Sequence, residues 1–194
     1  MPLPIGHTLT GIAFFQTRPG LFFKNKWVDA FFFVFLANLP DADFLPGLML
    51  GSPNLYHHGI FHSLGAALAV AVVMGWIFYQ KKRPFWRFSV LVFLIFYSHL
   101  LLDYFSRDFA APYGLPLFWP FSNSYYIAAH PIFINIIRSN RSANFFSSLL
   151  NRHNLEAALL EIMLLGGLVV LVVIVRWLLK KKAGYNRKKP FSGG

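Results

Sequence analysis

The chain contains no cysteine, which excludes disulfides, thiolate ligands, iron–sulfur clusters and zinc-finger-like sites and leaves imidazole and carboxylate to hold any metal. Charge is scarce as well: 13% of the 194 residues are Asp, Glu, Lys or Arg, and only 7 of those are acids. No lysine or arginine precedes Arg18, so the start of the chain lacks the basic leader of a cleavable signal peptide. What fills the sequence instead is apolar, 56% hydrophobic and 19% aromatic, a balance foreign to soluble globular domains and suited to a lipid bilayer. A formal net charge of +11 would suit nucleic acid if the basic residues were interleaved with exposed aromatics. Most of them flank apolar runs, so direct nucleic-acid binding is not expected.

Four apolar runs stand out, at 28–39, 64–79, 88–105 and 155–179. The last would reach roughly 37 Å as a helix and spans a bilayer with tilt to spare, whereas the first, at about 18 Å, cannot cross alone. A fifth candidate, 5–23, is broken by Arg18, Pro19 and Gly20. Basic residues cluster at Lys24 and Lys26, at Lys81, Lys82, Arg83 and Arg87, and at 180–182 and 187–189. If successive segments alternate direction, all three clusters fall on one side, which the positive-inside rule makes cytoplasmic. The expected architecture is therefore all-α and polytopic: one membrane-embedded helical domain over 1–180, a long interfacial connection at 106–154, and a basic cytoplasmic tail at 181–194. Trp119, Tyr125 and Tyr126 in the connection should lie at headgroup level, with Trp119 and its neighbours flooring a site.

The same alternation collects the polar residues on the outer face. Six of the 7 histidines and six of the seven acids lie in or beside PDAD (40–43), HHGIFHS (57–63) and SHLLLD (98–103), in the long connection, or at the start of the last run, and His7 lies near the start of the first segment. His99 and Asp103, four apart in a helix, share a face and can share a metal; inside an apolar run both are costly unless partnered. Asp41 and Asp43 follow Pro40, where an extended backbone would turn both carboxylates to one side, their repulsion relieved by a cation. Of His57, His58 and His62, at least two are expected to bind metal, with Gly59 supplying a sharp bend and Ser63 free to cap the next helix. Glu161 sits at apolar depth and is either a ligand or a protonated, hydrogen-bonded group. Glu156 suits the first turn of the last helix, and His130 and His153 read as structural. His7 is left open.

At these strings the chain resembles the YdjM family, described as LexA-binding, inner-membrane-associated, metal-dependent hydrolases. The matching pieces are His7, PDADFLP, HHGIFHSL and SHLLLDYF followed by GLPLFWPFS, in family order across most of residues 1–122. The resemblance implies a metal site from His7, Asp41, Asp43, His57, His62, His99 and Asp103, distantly similar to the helical zinc-dependent phospholipase C and single-strand nuclease superfamily. It also implies an inner-membrane location and a LexA-like regulatory partner. His58 stands where the family string has an arginine able to clamp a phosphate, and Phe61 where it has a threonine.

The expected function is a membrane-bound, metal-dependent hydrolase holding one to three divalent ions, zinc foremost, and activating water against a phosphoester or lipid-like substrate such as a phospholipid. Asp41, Asp43 and His58 are the residues expected to take part in catalysis, and Glu161 joins the candidate ligands. Two other classes fit the same residues: a metal or proton transporter, and a non-catalytic protein that binds a regulatory partner through its tail.

Overall fold

The computed structural model describes residues 2–109 and 113–188. It is all-helical: α1 (Pro4–Thr17), α2 (Lys26–Asn38), α3 (Phe44–Met49), α4 (Leu64–Gln80), α5 (Phe85–Tyr104), α6 (Phe145–Ser148) and α7 (Arg152–Lys188), with short 3₁₀ turns at Leu39–Asp43, Pro53–Leu55, Ile60–His62 and Ser142–Asn144. Among the described residues there is no β-strand, only isolated bridges pairing Ser106 with Phe133 and Leu115 with Tyr126. Two helices are long and apolar enough to cross a membrane, Phe85–Tyr104 and Arg152–Ala183, while Leu64–Gln80 is a shorter apolar helix.

Local chemistry sets the helix ends. Asn25 starts α2 by accepting from the amides of Trp27 and Val28, and Ser63 starts α4 by accepting from Ala66. Pro4 opens α1, where a missing N–H costs nothing. That helix has no cap of its own; the carboxylate of Glu161 on α7 takes the amides of Leu3 at 2.7 Å and Gly6 at 2.9 Å. Further along, Arg176 Nη1 donates to the Gln16 carbonyl at 2.6 Å, so α1 and α7 run parallel, fastened near both ends of α1.

The helices α4 and α5 form an antiparallel hairpin whose close approach depends on a missing side chain: a Cβ on Gly75 would lie 1.9 Å from Ser89 Oγ. Beside it, Phe22, Phe33, Leu36, Phe78, Phe88, Val92 and Ile95 form an aromatic-rich core. The connection between α1 and α2 wraps around one acid. Asp29 is wholly buried and accepts from the amides of Gly20 (2.7 Å), Leu21 (3.2 Å), Phe22 (2.8 Å) and Phe23 (2.9 Å). Arg83 donates to the Leu21 carbonyl and lies against the Phe88 ring, closing the same end of the bundle.

Two local expectations are corrected. The PDAD segment is a 3₁₀ turn continuing α2, because Pro40 fits the first turn of a helix as readily as an extended strand. The two carboxylates still converge, both lying against His62, but from a turn and not from an extended segment. In HHGIFHS the left-handed residue is His58, at φ 59°, while Gly59 has a negative φ; glycine is needed at 59 because a Cβ would sit 2.7 Å from the Tyr56 carbonyl oxygen.

Candidate metal centre

Three elements meet at the end of the bundle where α1 begins: the first turns of α1, the segment from Pro40 to Ser63, and the last turn of α5. His7, His62 and His99 are buried with no more than 1% exposure, and Asp43, His58 and Asp103 are buried nearly as deeply. So many polar side chains in an apolar bundle need partners.

His99 fixes the logic. Its Nδ1 lies 2.8 Å from the Ala37 carbonyl, which can only accept, so Nδ1 carries the proton and Nε2 of the neutral ring offers a lone pair. That Nε2 faces His62 Nε2 at 3.3 Å, Asp103 Oδ2 at 3.1 Å and Asp41 Oδ1 at 3.6 Å. His62 Nε2 is in turn 3.3 Å from Asp103 Oδ2 and 3.6 Å from Asp41 Oδ1. His7 stacks on His99 with ring centres 3.6 Å apart, and its Nε2 is 3.6 Å from Asp103 Oδ1. Neither nitrogen of His7 and no oxygen of Asp41 or Asp103 has a hydrogen-bond partner.

A second group adjoins the first. His57 Nδ1 contacts Asp43 Oδ1 at 3.0 Å, which leaves its buried Nε2 unpartnered. His62 Nδ1 lies 2.9 Å from Asp43 Oδ2, too far off line for a hydrogen bond. Ligand atoms from Asp41, Asp43, His57 and His62 all lie within 4.8 Å of one another, as do those of His62, His99 and Asp103, of His7, Asp41 and His99, and of His57, His58 and His62.

The donor set fits a divalent cation. Tetrahedral coordination at about 2.0–2.1 Å places ligand atoms about 3.3–3.4 Å apart. His62 Nε2, His99 Nε2 and Asp103 Oδ2 form a triangle with edges of 3.3, 3.1 and 3.3 Å. Asp41, Asp43 and Asp103 also bring three carboxylates into one buried cluster, which favours a cation there. Burial pushes the His57 imidazole well below its ordinary pKa, aided by His58, and burial likewise lowers His58, so both are neutral rings suited to a metal. Burial opposes charge on His62 too, yet Asp103, Asp41 and Asp43 raise it well above its ordinary value. The same field that favours a proton on His62 would favour a metal ion in its place.

Seven of the candidate residues are thus brought together: His7, Asp41, Asp43, His57, His62, His99 and Asp103. His58 stands at the edge, its Nδ1 3.3 Å from Asp108 Oδ2. Glu161 lies outside these groups, and its two oxygens accept the amides that open α1. Glu156 pairs with Arg152 at 3.0 Å on the exposed surface, and His153 Nε2 donates to the Asn135 carbonyl at 2.9 Å, as structural residues would.

Beside the centre lies a cavity of about 990 Å³, lined among others by Asp43, His57, His58, Asp108, Tyr125 and Arg138. From the long connection, Asp108, Tyr125, Arg138 and Asn140 line this cavity and Trp119 does not; the Trp119 carbonyl receives the amide of Gly65 at the start of α4. Asp108 and Arg138 were not singled out as site residues by the sequence reading. Asp108 had one signal, being the sole acid of the connection; Arg138 had none among four arginines there.

Neither a curated protein nor a solved structure matches the chain. A family model does, that of the YdjM inner membrane protein, and it runs over residues 1–183, through α1, the centre and the apolar part of α7; the chain belongs to this family.

Proposed function

We propose that the chain is a multi-pass inner-membrane hydrolase, dependent on one to three divalent ions with zinc foremost, acting on a phosphoester or lipid-like substrate. The observation that carries this is the buried triangle of His62, His99 and Asp103, with Asp41 and His7 against it and no hydrogen-bond donor for the acids. His62, His99, Asp103, Asp41 and His7 would hold one ion; Asp43, His57 and Asp41 would hold another. When bound, a divalent cation supplies Lewis acidity, acidifying water and offsetting charge on a phosphoryl oxygen.

The protein's own contribution is orientation. The Ala37 carbonyl fixes the His99 ring, and Asp43 fixes His57, so their lone pairs are aimed before any ligand arrives. Asp41 and Asp43 would accept a proton from water, and His58, which lines the cavity with Asp43, would contact the substrate. The parallel α1 and α7 and the α4–α5 hairpin support a topology with Lys24, Lys26 and Lys81 to Arg83 at the end opposite the site. This orientation puts the site at the outer face and the basic tail in the cytoplasm. Seven candidate ligands clustered at one end of the helices favour hydrolysis over a relay through the membrane.

Elemental mass spectrometry on detergent-purified protein tests it. Wild type should carry at least one equivalent of a divalent metal and cleave bis(p-nitrophenyl) phosphate until a chelator is added. A His99→Ala/Asp103→Ala variant should do neither. Folded wild type and variant that are equally metal-free would end the proposal.

A further inference from the structure

Arg138 lies in the long connection, far in sequence from every candidate ligand, yet it lines both the cavity beside the metal centre and a smaller one of about 290 Å³. Asn54, His58 and Asp108 also line both, so these residues form the wall between the two cavities. The guanidinium is held in place. Its Nε donates to Asn54 Oδ1 at 2.7 Å, and its carbon lies 5.1 Å from the centre of the Phe44 ring, which in turn stacks on His57 at 3.9 Å.

The backbone on each side of Arg138 is pinned as well. Ile137 donates its amide to Asn154 Oδ1 at 2.8 Å and receives Asn154 Nδ2 on its carbonyl at 2.7 Å. Ser139 donates its amide to Ser148 Oγ at 2.7 Å. A surface arginine that served only solubility would need no such clamps. An arginine fixed at both flanks and at Nε, next to two histidines of a metal centre, has the planar fork and preorganisation used to bind phosphate.

We propose that Arg138 recognises the anionic phosphate group of the substrate in the cavity next to the metal centre, with Asn54 and Phe44 as the positioning residues that aim it. The inference rests on the metal-dependent reading above, because bound cations must offset Asp43 and Asp108 before an anion is attracted. The Arg138 guanidinium and the His58 ring share one wall, although they come from distant parts of the chain. Leu55, Ile60 and Phe61 on the cavity lining are apolar and exposed, which suits a substrate with a hydrocarbon portion.

The test measures binding of two probes, inorganic phosphate and dihexanoylphosphatidylglycerol below its micellar concentration, to zinc-loaded full-length protein in detergent, alongside metal content. Arg138→Gln should keep the wild-type metal content and bind both probes at least about tenfold more weakly. Arg138→Lys should recover part of the loss, and Asn54→Ala, which leaves the guanidinium in place but unaimed, should weaken binding about threefold. Tighter binding of the lipid than of phosphate, with the same dependence on Arg138, identifies a phospholipid as the source of the anion; equal binding identifies a soluble phosphoester. Zinc-loaded Arg138→Gln binding both probes as well as wild type, or zinc-loaded wild type binding neither, overturns the inference and leaves the metal reading intact. Wild type that takes up no metal overturns both.

Discussion

Asp29 and Asp103 are both buried carboxylates on helices of an apolar chain, near opposite ends of α1, yet Asp29 receives four backbone amides while neither oxygen of Asp103 has a hydrogen-bond partner. At Asp29 the chain turns its own N–H groups inward and satisfies the charge completely, and what results is a rigid connection between α1 and α2. At Asp103 the neighbours are the imidazole nitrogens of His7, His62 and His99, which settle the charge only by sharing a cation, a proton or a metal. A buried acid surrounded by donors belongs to the fold; one surrounded by acceptors points to a ligand.

The largest effect expected from this contrast is on stability. Asp29→Ala would orphan four amides in an apolar interior and should cost on the order of 4 kcal/mol of unfolding free energy, given about 1.5–3 kcal/mol for a hydrogen bond to a charged group and incomplete additivity. Denaturant titration in micelles reads this directly. The loss should be the same with and without a chelator, and metal content per folded molecule should not change. A variant that unfolds no earlier than wild type would show that the nest of amides is incidental.

Next comes metal affinity. Asp103→Ala removes one corner of the triangle formed with His62 and His99 and should weaken zinc binding by at least about a hundredfold, beyond what loss of a mere orienting partner costs. Zinc should raise the unfolding midpoint of wild type and of Asp29→Ala by similar amounts, since ligand that binds only the folded state stabilises by mass action. The same addition should raise the midpoint of Asp103→Ala clearly less, by no more than the group of Asp41, Asp43 and His57 supplies. If zinc stabilises Asp103→Ala as much as wild type, the two acids are alike and the contrast fails.

How much of this was legible beforehand follows from the same contrast. The strings around Asp41, His57, His62 and His99 announced themselves because polar side chains in apolar runs are expensive wherever they fall, and helical spacing put His99 and Asp103 on one face. The all-helical character and the long last helix were equally visible in the apolar runs. Asp29 escaped notice: in sequence it is a single acid near the start of an apolar run, and the amides that satisfy it come from a bend whose path no side-chain pattern encodes. Arg138 and Asp108 escaped because a connection rich in Phe, Pro, Asn and Ser carries no periodicity; their places depend on pairings such as Ser106 with Phe133 and Asn154 with Ile137. At PDAD and at His58 the residues tolerate two backbone conformations, and packing chose the one that propensity did not favour.

Glu161 gives the smallest effect and the sharpest division. By sequence it resembles Asp103, an acid deep in a long apolar helix, and it counted among the candidate ligands for that reason. By structure it resembles Asp29, since its oxygens hold the amides of Leu3 and Gly6 and it belongs to none of the His/Asp groups at the centre. Glu161→Gln keeps one accepting oxygen and turns an NH₂ group toward the other amide, so it should cost about 1–2 kcal/mol of stability while wild-type metal stoichiometry survives. Because α1 carries His7 one residue beyond Gly6, loosening this clamp should lower zinc affinity only modestly, about threefold, through the position of that ring. Elemental analysis beside denaturant titration separates the cases. Unchanged stability with a lost equivalent of metal would return Glu161 to the ligands and show that satisfaction by backbone amides does not, by itself, mark an acid as structural.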